Sequence, residues 1–315
     1  MKRPVKDLAF AVNSAWREEL PKDGILEYID VLVTGTVDTT GTPTHVEDII
    51  RRCELQVNGK PVYDLTGRQL AFLDAALQGE RIEEILTDPG AGTSDFAGLF
   101  RLWIADPTSR VQPERTLLNL KLLDALALHL EFGSGDDLFT AGAHAVTNPR
   151  VRVYYGEASG NARGGDILVV NRSFSYVLTG GRTINEWKEA GATLRAMLVE
   201  LVDDTGAPID TGLTEFGLNV DGKTPILDNL DFAYVRPLTT FDTGLSPDEI
   251  DVGQAYVDLD PGSKGKSLQG LDGVTVNLVL TGTVDYVANV VRRQYLPVEN
   301  YLGGRGRSLF AAARR

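Results

Sequence analysis

Residues 55–70 read LQVNGKPVYDLTGRQL and carry the strongest local folding signals of the chain. Asn58-Gly59 predicts a tight hairpin turn of type I′, because both residues tolerate the positive φ that this turn requires. Thr66 and Gln69 have the spacing of a capping box, so a helix is expected to begin there and to end at Gly79. This stretch therefore predicts a strand, a tight turn, a second strand and a short helix.

The same hairpin pattern recurs 163 residues later in the chain of 315 residues. Val57-Asn58-Gly59-Lys60 corresponds to Val220-Asp221-Gly222-Lys223, and a proline follows each turn. Turns of this composition are common, and two unrelated hairpins are the alternative interpretation. Because the offset is close to half of the chain length, the repeat favours a duplicated domain.

The composition is that of a folded, acidic protein of two domains. The length of 315 residues favours two domains of roughly 150 residues each, and 43% apolar residues suffice for ordinary cores. The net charge of -13 argues against binding of nucleic acid through the overall surface. No apolar stretch reaches the roughly 20 residues that span a bilayer, and the beginning of the sequence lacks a secretory signal. We therefore expect the protein to fold in a cytoplasm.

Residues 4–20 are predicted to form an N-terminal amphipathic helix, since apolar residues recur at helical spacing and Pro21 would end it. This helix would pack on its own domain, or dock on a neighbouring subunit or a lipid surface. From Ile25 onward, alternating residues and turns rich in Gly, Asp and Pro indicate antiparallel β-sandwiches.

In the second half, the residue patterns predict strands joined by two short helices. The strands are expected at Val151–Tyr155, Asp166–Val170, Ser173–Thr179, Leu194–Val202, Phe232–Val235, Tyr256–Leu259 and Val274–Val284. Capping boxes formed by Thr183 with Glu186 and by Ser246 with Glu249 predict where the two helices begin.

The sequence offers no catalytic constellation, so no catalytic, cofactor-binding or metal-binding residue is assigned. His45, His129 and His144 lack the local spacing of a zinc motif and are predicted to be structural. The pairs Asp136-Asp137 and Asp203-Asp204 could serve glycoside hydrolysis or bind a structural calcium ion, but solvated turn residues are the simpler interpretation. Cys53, the only cysteine, excludes an intrachain disulfide and is predicted to be a buried residue of a strand.

The sequence LQVNGKPVYDLTG at residues 55–67 resembles part of the first jelly roll of double jelly-roll major capsid proteins. These belong to tailless, internal-membrane-containing double-stranded DNA phages, especially the corticovirus-like ones. LEFG at residues 130–133, followed by DDL at 136–138, resembles the closing segment of that domain. The resemblance is most specific over residues 46–140, and the second half matches only in architecture and spacing.

The resemblance implies an all-β fold of two tandem eight-stranded jelly-roll β-sandwiches with short helices. The expected divisions are an N-terminal helix and arm at residues 1–24, a first jelly roll at 25–147, a second at 148–300, and a basic C-terminal tail at 301–315. We expect this tail to contribute little to folding.

The function that the resemblance implies is that of a major capsid protein of the virion, without enzymatic activity and without a cofactor. Three copies would form a homotrimer with a six-lobed outline, and trimers would tile an icosahedral shell with neighbouring capsomers and other capsid proteins. The basic termini would face the internal membrane, because anionic lipid attracts basic segments. Assembly would take place in the host cytoplasm, without direct contact with nucleic acid.

Two other functions are compatible with tandem sandwiches. One is a two-domain jelly-roll hydrolase that acts on glycans, with carboxylates in the groove between the sandwiches. The other is a carbohydrate-binding surface module. The chain has only three tryptophans and no evident aromatic cluster for sugar stacking, which argues against the hydrolase. The missing secretory signal argues against the surface module.

Overall fold

The computed structural model describes residues 2–39, 44–82, 85–86, 92–108, 113–139, 144–158, 162, 164–187, 193–220, 224–259 and 276–313. Contacts between residues divide the chain into two compact units. Unit 1 comprises Met1–Asp74, Ile82–Val169 and Val298–Arg315, and unit 2 comprises Ala75–Arg81 and Val170–Pro297. The chain has three α-helices within its described residues: α1 (Gly67–Gln78), α2 (Phe232–Thr243) and α3 (Gly304–Ala313).

Unit 1 consists mainly of two antiparallel sheets. Its described strands are β1 (Lys2–Ala9), β2 (Ala15–Glu19), β3 (Ile25–Thr39), β4 (Ile50–Val57), β5 (Lys60–Leu65), β6 (Ile85–Leu86), β7 (Gly92–Trp103), β8 (Leu118–Asn119), β9 (Leu126–Phe132) and β10 (Val146–Glu157). One sheet has the order β1-β10-β3-β7-β6, with β8 beside β3, and the other has the order β2-β9-β4-β5. The buried Tyr63 hydroxyl donates to the Trp103 carbonyl and so joins the two sheets.

Unit 2 is organised around one long strand that pairs with different partners along its length. Its strands are β11 (Ile167–Trp187, which begins in unit 1), β12 (Thr193–Val202), β13 (Leu213–Val220), β14 (Thr224–Leu230), β15 (Gln254–Asp258) and β16 (Val276–Pro297). The first part of β16 pairs with β13 and its later part pairs with β12, while β14 extends the sheet beyond β13 and β15 extends it beyond β12. Apolar residues of these strands enclose one core with Phe232 and Val235 of α2.

The predicted all-β double jelly-roll class matches this architecture. Within the described ranges, unit 1 has ten strands, of which β6 and β8 contain two residues each, and unit 2 has six. The prediction was eight strands for each jelly roll. Residues 260–275 lie outside the described ranges, and so does part of the expected strand Val274–Val284.

The structure confirms that the hairpin-and-helix unit is repeated. β4, β5 and α1 correspond to β13, β14 and α2, and each helix has 12 residues. Gly79 and Gly244 follow the two helices with φ of 73° and 81°, and each donates its amide to a carbonyl four residues earlier. The Asn58-Gly59 turn has the predicted positive φ at both residues, 51° and 77°. Its counterpart at residues 221–223 lies outside the described residues.

The prediction of an N-terminal helix at residues 4–20 is wrong. This segment forms β1 and β2, which extend the two sheets of unit 1 by pairing with β10 and β9. Exposure alternates along β2, as expected of a strand with one face on the protein. Phe10, between the two strands, stacks on Phe132 with 3.9 Å between ring centroids. Pairing with distant strands therefore outweighs the local helical spacing.

Three predictions for the second half are also corrected. Residues 232–235 begin α2 instead of forming a strand, because Asp231 caps the helix by accepting from the Ala233 amide at 3.0 Å. Thr183 and Glu186 lie within β11, which also unites the two strands expected at 166–170 and 173–179. The capping box of Ser246 and Glu249 is present, on a short 3-10 helix.

The described part of the C-terminal segment is an integral part of unit 1, contrary to the expectation of a basic tail at 301–315 that contributes little to folding. Tyr301 and Leu302 are buried, and residues 304–313 form α3. Gly306 approaches the Leu122 carbonyl so closely that a Cβ would lie 2.2 Å from its oxygen. Unit 1 also runs to Val169, beyond the boundary expected at residue 147, because β10 pairs with β3 of the first sheet.

Asn58 fastens this C-terminal segment to the hairpin. Its Oδ1 accepts from the amides of Asp124 and Ala125 at 2.8 and 2.7 Å, and its Nδ2 donates to the Tyr301 carbonyl at 2.7 Å. Lys60 adds a hydrogen bond to the Asn300 carbonyl at 2.6 Å. The residue that sets the turn therefore also binds two remote segments of unit 1.

The substitution Asn58→Gly keeps the positive φ of the turn but removes these three side-chain hydrogen bonds. We expect it to lower the free energy of unfolding by about 2–3 kcal/mol, since each such bond contributes roughly 0.5–1.5 kcal/mol. Urea denaturation measures the change. Asn13→Gly is the matched control, because Asn13 also has positive φ (52°) and its side chain makes no hydrogen bond with the described residues. Equal losses in both variants would contradict the role assigned to the Asn58 side chain.

Candidate functional site

The structure places each histidine in a separate local contact of unit 1. The ring of His144 is buried, and its Nδ1 lies 2.7 Å from the Asp38 carbonyl. His129 Nδ1 lies 3.8 Å from a carboxylate oxygen of Glu54, and His45 Nδ1 lies 3.7 Å from one of Glu47. That all three histidines are structural stays a prediction.

The paired carboxylates lie in turns and bind protein donors. Asp137 accepts from the Ser134 amide at 2.6 Å, and Asp136 accepts from the His144 amide at 2.7 Å. Asp203 accepts from the Thr205 hydroxyl and from the amides of Thr205 and Ala207, and these hydrogen bonds lower the pKa of its carboxyl group. This is the pattern of turn residues stabilised by their own backbone. The absence of a cofactor, and of calcium at these pairs, stays a prediction.

Cys53 is fully buried in β4, as the sequence predicts. Burial raises the pKa of its thiol far above the ordinary range, and the nearby carboxylates of Asp64 and Glu54 add to the effect. A thiol in this state is a poor nucleophile, because the thiolate is the reactive form.

Three large apolar side chains of α2, in unit 2, are exposed to solvent. Tyr234, Leu238 and Phe241 are 68%, 37% and 84% exposed. Their spacing of four and three residues places them on one side of the helix. We call these three residues the α2 face. A groove of about 650 Å³ lies alongside, lined by Ala233, Arg236, Pro237 and Thr240 of α2 and by Asp210, Phe232, Pro247 and Ile250.

The opposite side of α2 is packed against unit 2, so the α2 face has a fixed orientation. Phe232 and Val235 are buried in the core of unit 2, and the Thr239 hydroxyl accepts from the Tyr256 amide of β15 at 2.8 Å. Sequence reasoning missed the α2 face because it expected a strand at 232–235. Asp231 and Gly244 as caps, with apolar residues at helical spacing between them, were the signal that could have revealed it.

The described charges at the N-terminus are paired within unit 1. Lys2 Nζ lies 2.6 Å from an oxygen of Asp30, and Lys6 Nζ lies 2.5 Å from one of Glu18. Arg3 contacts Asp23 and Glu157 at 2.8 and 2.9 Å. At the other end, Arg305 is exposed on α3, whereas the Arg307 side chain donates to backbone carbonyls. Arg314 and Arg315 lie outside the described residues.

No helix within the described part of the chain is both long and apolar enough to cross a bilayer.

Comparison with known proteins identifies the fold through solved structures alone. No protein-family model matches the chain, and no curated protein matches it. The crystal structure of the STIV MCP, a double jelly-roll major capsid protein, has a TM-score of 0.72 at 12% identity, covering 96% of this chain and 98% of that chain. The major capsid protein P2 of bacteriophage PM2 has a TM-score of 0.63 at 15% identity, covering 94% and 97%. The PBCV-1 virus capsid model has a TM-score of 0.60 at 10% identity, covering 94% and 92%.

These matches confirm the fold that the resemblance implied. The chain has the double jelly-roll fold of viral major capsid proteins, and PM2 is itself a corticovirus, the group to which residues 55–67 pointed.

The burial of Cys53 leads to a test of the structure at this residue. We expect the native protein to react with a thiol reagent only as fast as unit 1 opens, because the thiol is both inaccessible and protonated. Ellman's reagent should detect no free thiol in native protein within an hour and one thiol per chain in denaturant. Rapid labelling of the native protein would contradict the buried position.

Proposed function

We propose that the protein is the major capsid protein of a virus with an internal membrane. The observation that carries this proposal is the double jelly-roll fold, shared over 96% of this chain and 98% of the STIV MCP. The alignment accounts for nearly all of both chains. In this proposal the protein resides in the virion and is assembled in the cytoplasm of a bacterial host.

The proposal includes no catalytic activity. A glycan hydrolase needs two carboxyl groups at a defined separation, one of which protonates the leaving group. Three of the four carboxylates singled out by the sequence accept instead from backbone amides in turns, namely Asp136, Asp137 and Asp203. The structural matches do not favour the hydrolase.

We further propose that three copies form the capsomer. A chain with two jelly rolls presents two lobes, so three copies would supply six and tile a shell with neighbouring capsomers and other capsid proteins. No direct contact with nucleic acid is proposed, since the net charge of the chain is -13.

Contact with the internal membrane is assigned to the C-terminal end. The N-terminal cations are already paired with carboxylates of unit 1. Arg305 is exposed, and the sequence ends with two further arginines, Arg314 and Arg315. Each such charge near an anionic membrane contributes about 1 kcal/mol of attraction.

Light scattering on the purified protein at micromolar concentration tests the capsomer. We expect three times the chain mass of 34.2 kDa, because obligate assemblies bury large interfaces that persist on dilution. A monomer or dimer at this concentration would contradict the proposal, as would glycan hydrolysis by the same sample.

The membrane assignment is tested with vesicles that contain phosphatidylserine. Removing Arg314 and Arg315 together with Arg305→Glu should reduce binding, and added salt should weaken the binding of the wild type. Lys2→Ala is the control, since that ammonium is paired with Asp30. Unchanged binding of the C-terminal variant would refute the assignment.

A further inference from the structure

We propose that the α2 face is the contact through which one copy of this chain binds the next copy in the capsomer. This inference rests on the proposed function and adds to it the surface that makes the contact.

The repeat gives every residue of α2 a counterpart in α1, because both helices have 12 residues and end at glycines of positive φ. Tyr234 corresponds to Gln69, Leu238 to Leu73, and Phe241 to Ala76. The residues of the α2 face are 68%, 37% and 84% exposed, whereas their counterparts in α1 are 1%, 3% and 6% exposed. Within one chain, this side of α1 is therefore covered, whereas the described residues leave the same side of α2 uncovered.

The residue types of the α2 face are those expected of a surface that another copy covers in the assembly. Two of the three residues of the α2 face carry aromatic rings, which are enriched at the centres of protein interfaces. The corresponding positions of α1, which are buried within the chain, carry no aromatic ring: Gln69 and Ala76 stand at the two aromatic positions, and Leu73 matches Leu238. A helix meant to face water would carry charged residues at these positions.

Local charge favours a second copy of this chain as the occupant. The net charge of the chain is -13, so two copies repel each other over most of their surface. The charged residues of α2 are Arg236, which pairs with Asp210 at 2.5 Å, and Asp242, which accepts from the Asp258 amide at 3.3 Å. The α2 face itself carries no charge, which lets an acidic chain approach another copy there.

The contact that follows is heterologous. The α2 face of one copy would contact a different surface of the next copy. Three copies that repeat this contact would form a closed ring. This side of each α1 would then be covered within its own chain, and the same side of each α2 by a neighbouring copy.

The first test replaces Phe241 by aspartate. Phe241 is 84% exposed, so Phe241→Asp should fold normally and keep the circular dichroism spectrum of the wild type. We expect the trimer of this variant to dissociate at a protein concentration at least about 30-fold higher than that at which the wild-type trimer dissociates. This is the effect of losing an interface hot spot. Val177→Asp is the matched control, because Val177 is an exposed apolar residue of β11 in the same unit, at 62%.

The second test uses the single, buried cysteine of the chain. Phe241→Cys introduces the only accessible thiol, which a maleimide should label in diluted monomer and fail to label in the trimer. The thiol of Val177→Cys should be labelled in both. These measurements do not depend on whether the charged variant folds.

The outcomes separate this inference from the proposed function. A trimer of Phe241→Asp at wild-type concentrations, or rapid labelling of Phe241→Cys within the trimer, overturns the inference and leaves the capsid function standing. Protection that appears only when trimers join into larger shells also overturns it, because the α2 face would then bind a neighbouring capsomer. A wild type that is monomeric at micromolar concentration overturns both.

Discussion

The burial of one side of α2 in the core of unit 2 is the constraint on which the proposed contact between copies depends. In unit 2, Phe232 and Val235 bury one side of α2 in the core, and Thr239 ties the helix to β15. A glycine with positive φ then ends the helix and turns the chain away, as another does after α1. Because the inner side of α2 is fixed in this way, its outer side has a fixed orientation as well.

Features determined by neighbouring residues could be predicted from the sequence. The Asn58-Gly59 turn, the two strands that flank it and the capping boxes at Thr66 and Ser246 depend on contacts within a few residues. The fold class followed from the repeat of the hairpin together with the resemblance of residues 55–67. The burial of Cys53 in a strand was likewise predictable from the alternating pattern around it.

Features determined by distant partners could not be predicted in this way. β1 is a strand because it pairs with β10, about 150 residues away in sequence. The C-terminal segment is ordered because Asn58 and Leu122 bind it, and nothing near residues 300–306 indicates these partners. The α2 face was missed because Phe232, Tyr234 and Val235 have high strand propensity, which the Asp231 cap and the core of unit 2 outweigh.

The central claim is that the hairpin-and-helix unit is duplicated within the chain, and the proposed function adds that three chains join into one capsomer. Averaged electron cryomicroscopy images of the purified capsomer test this claim most directly. The account predicts three-fold symmetry, six lobes of similar size and density for α2 between adjacent copies. A particle with two-fold symmetry, or a three-fold particle whose α2 helices face solvent, would contradict it.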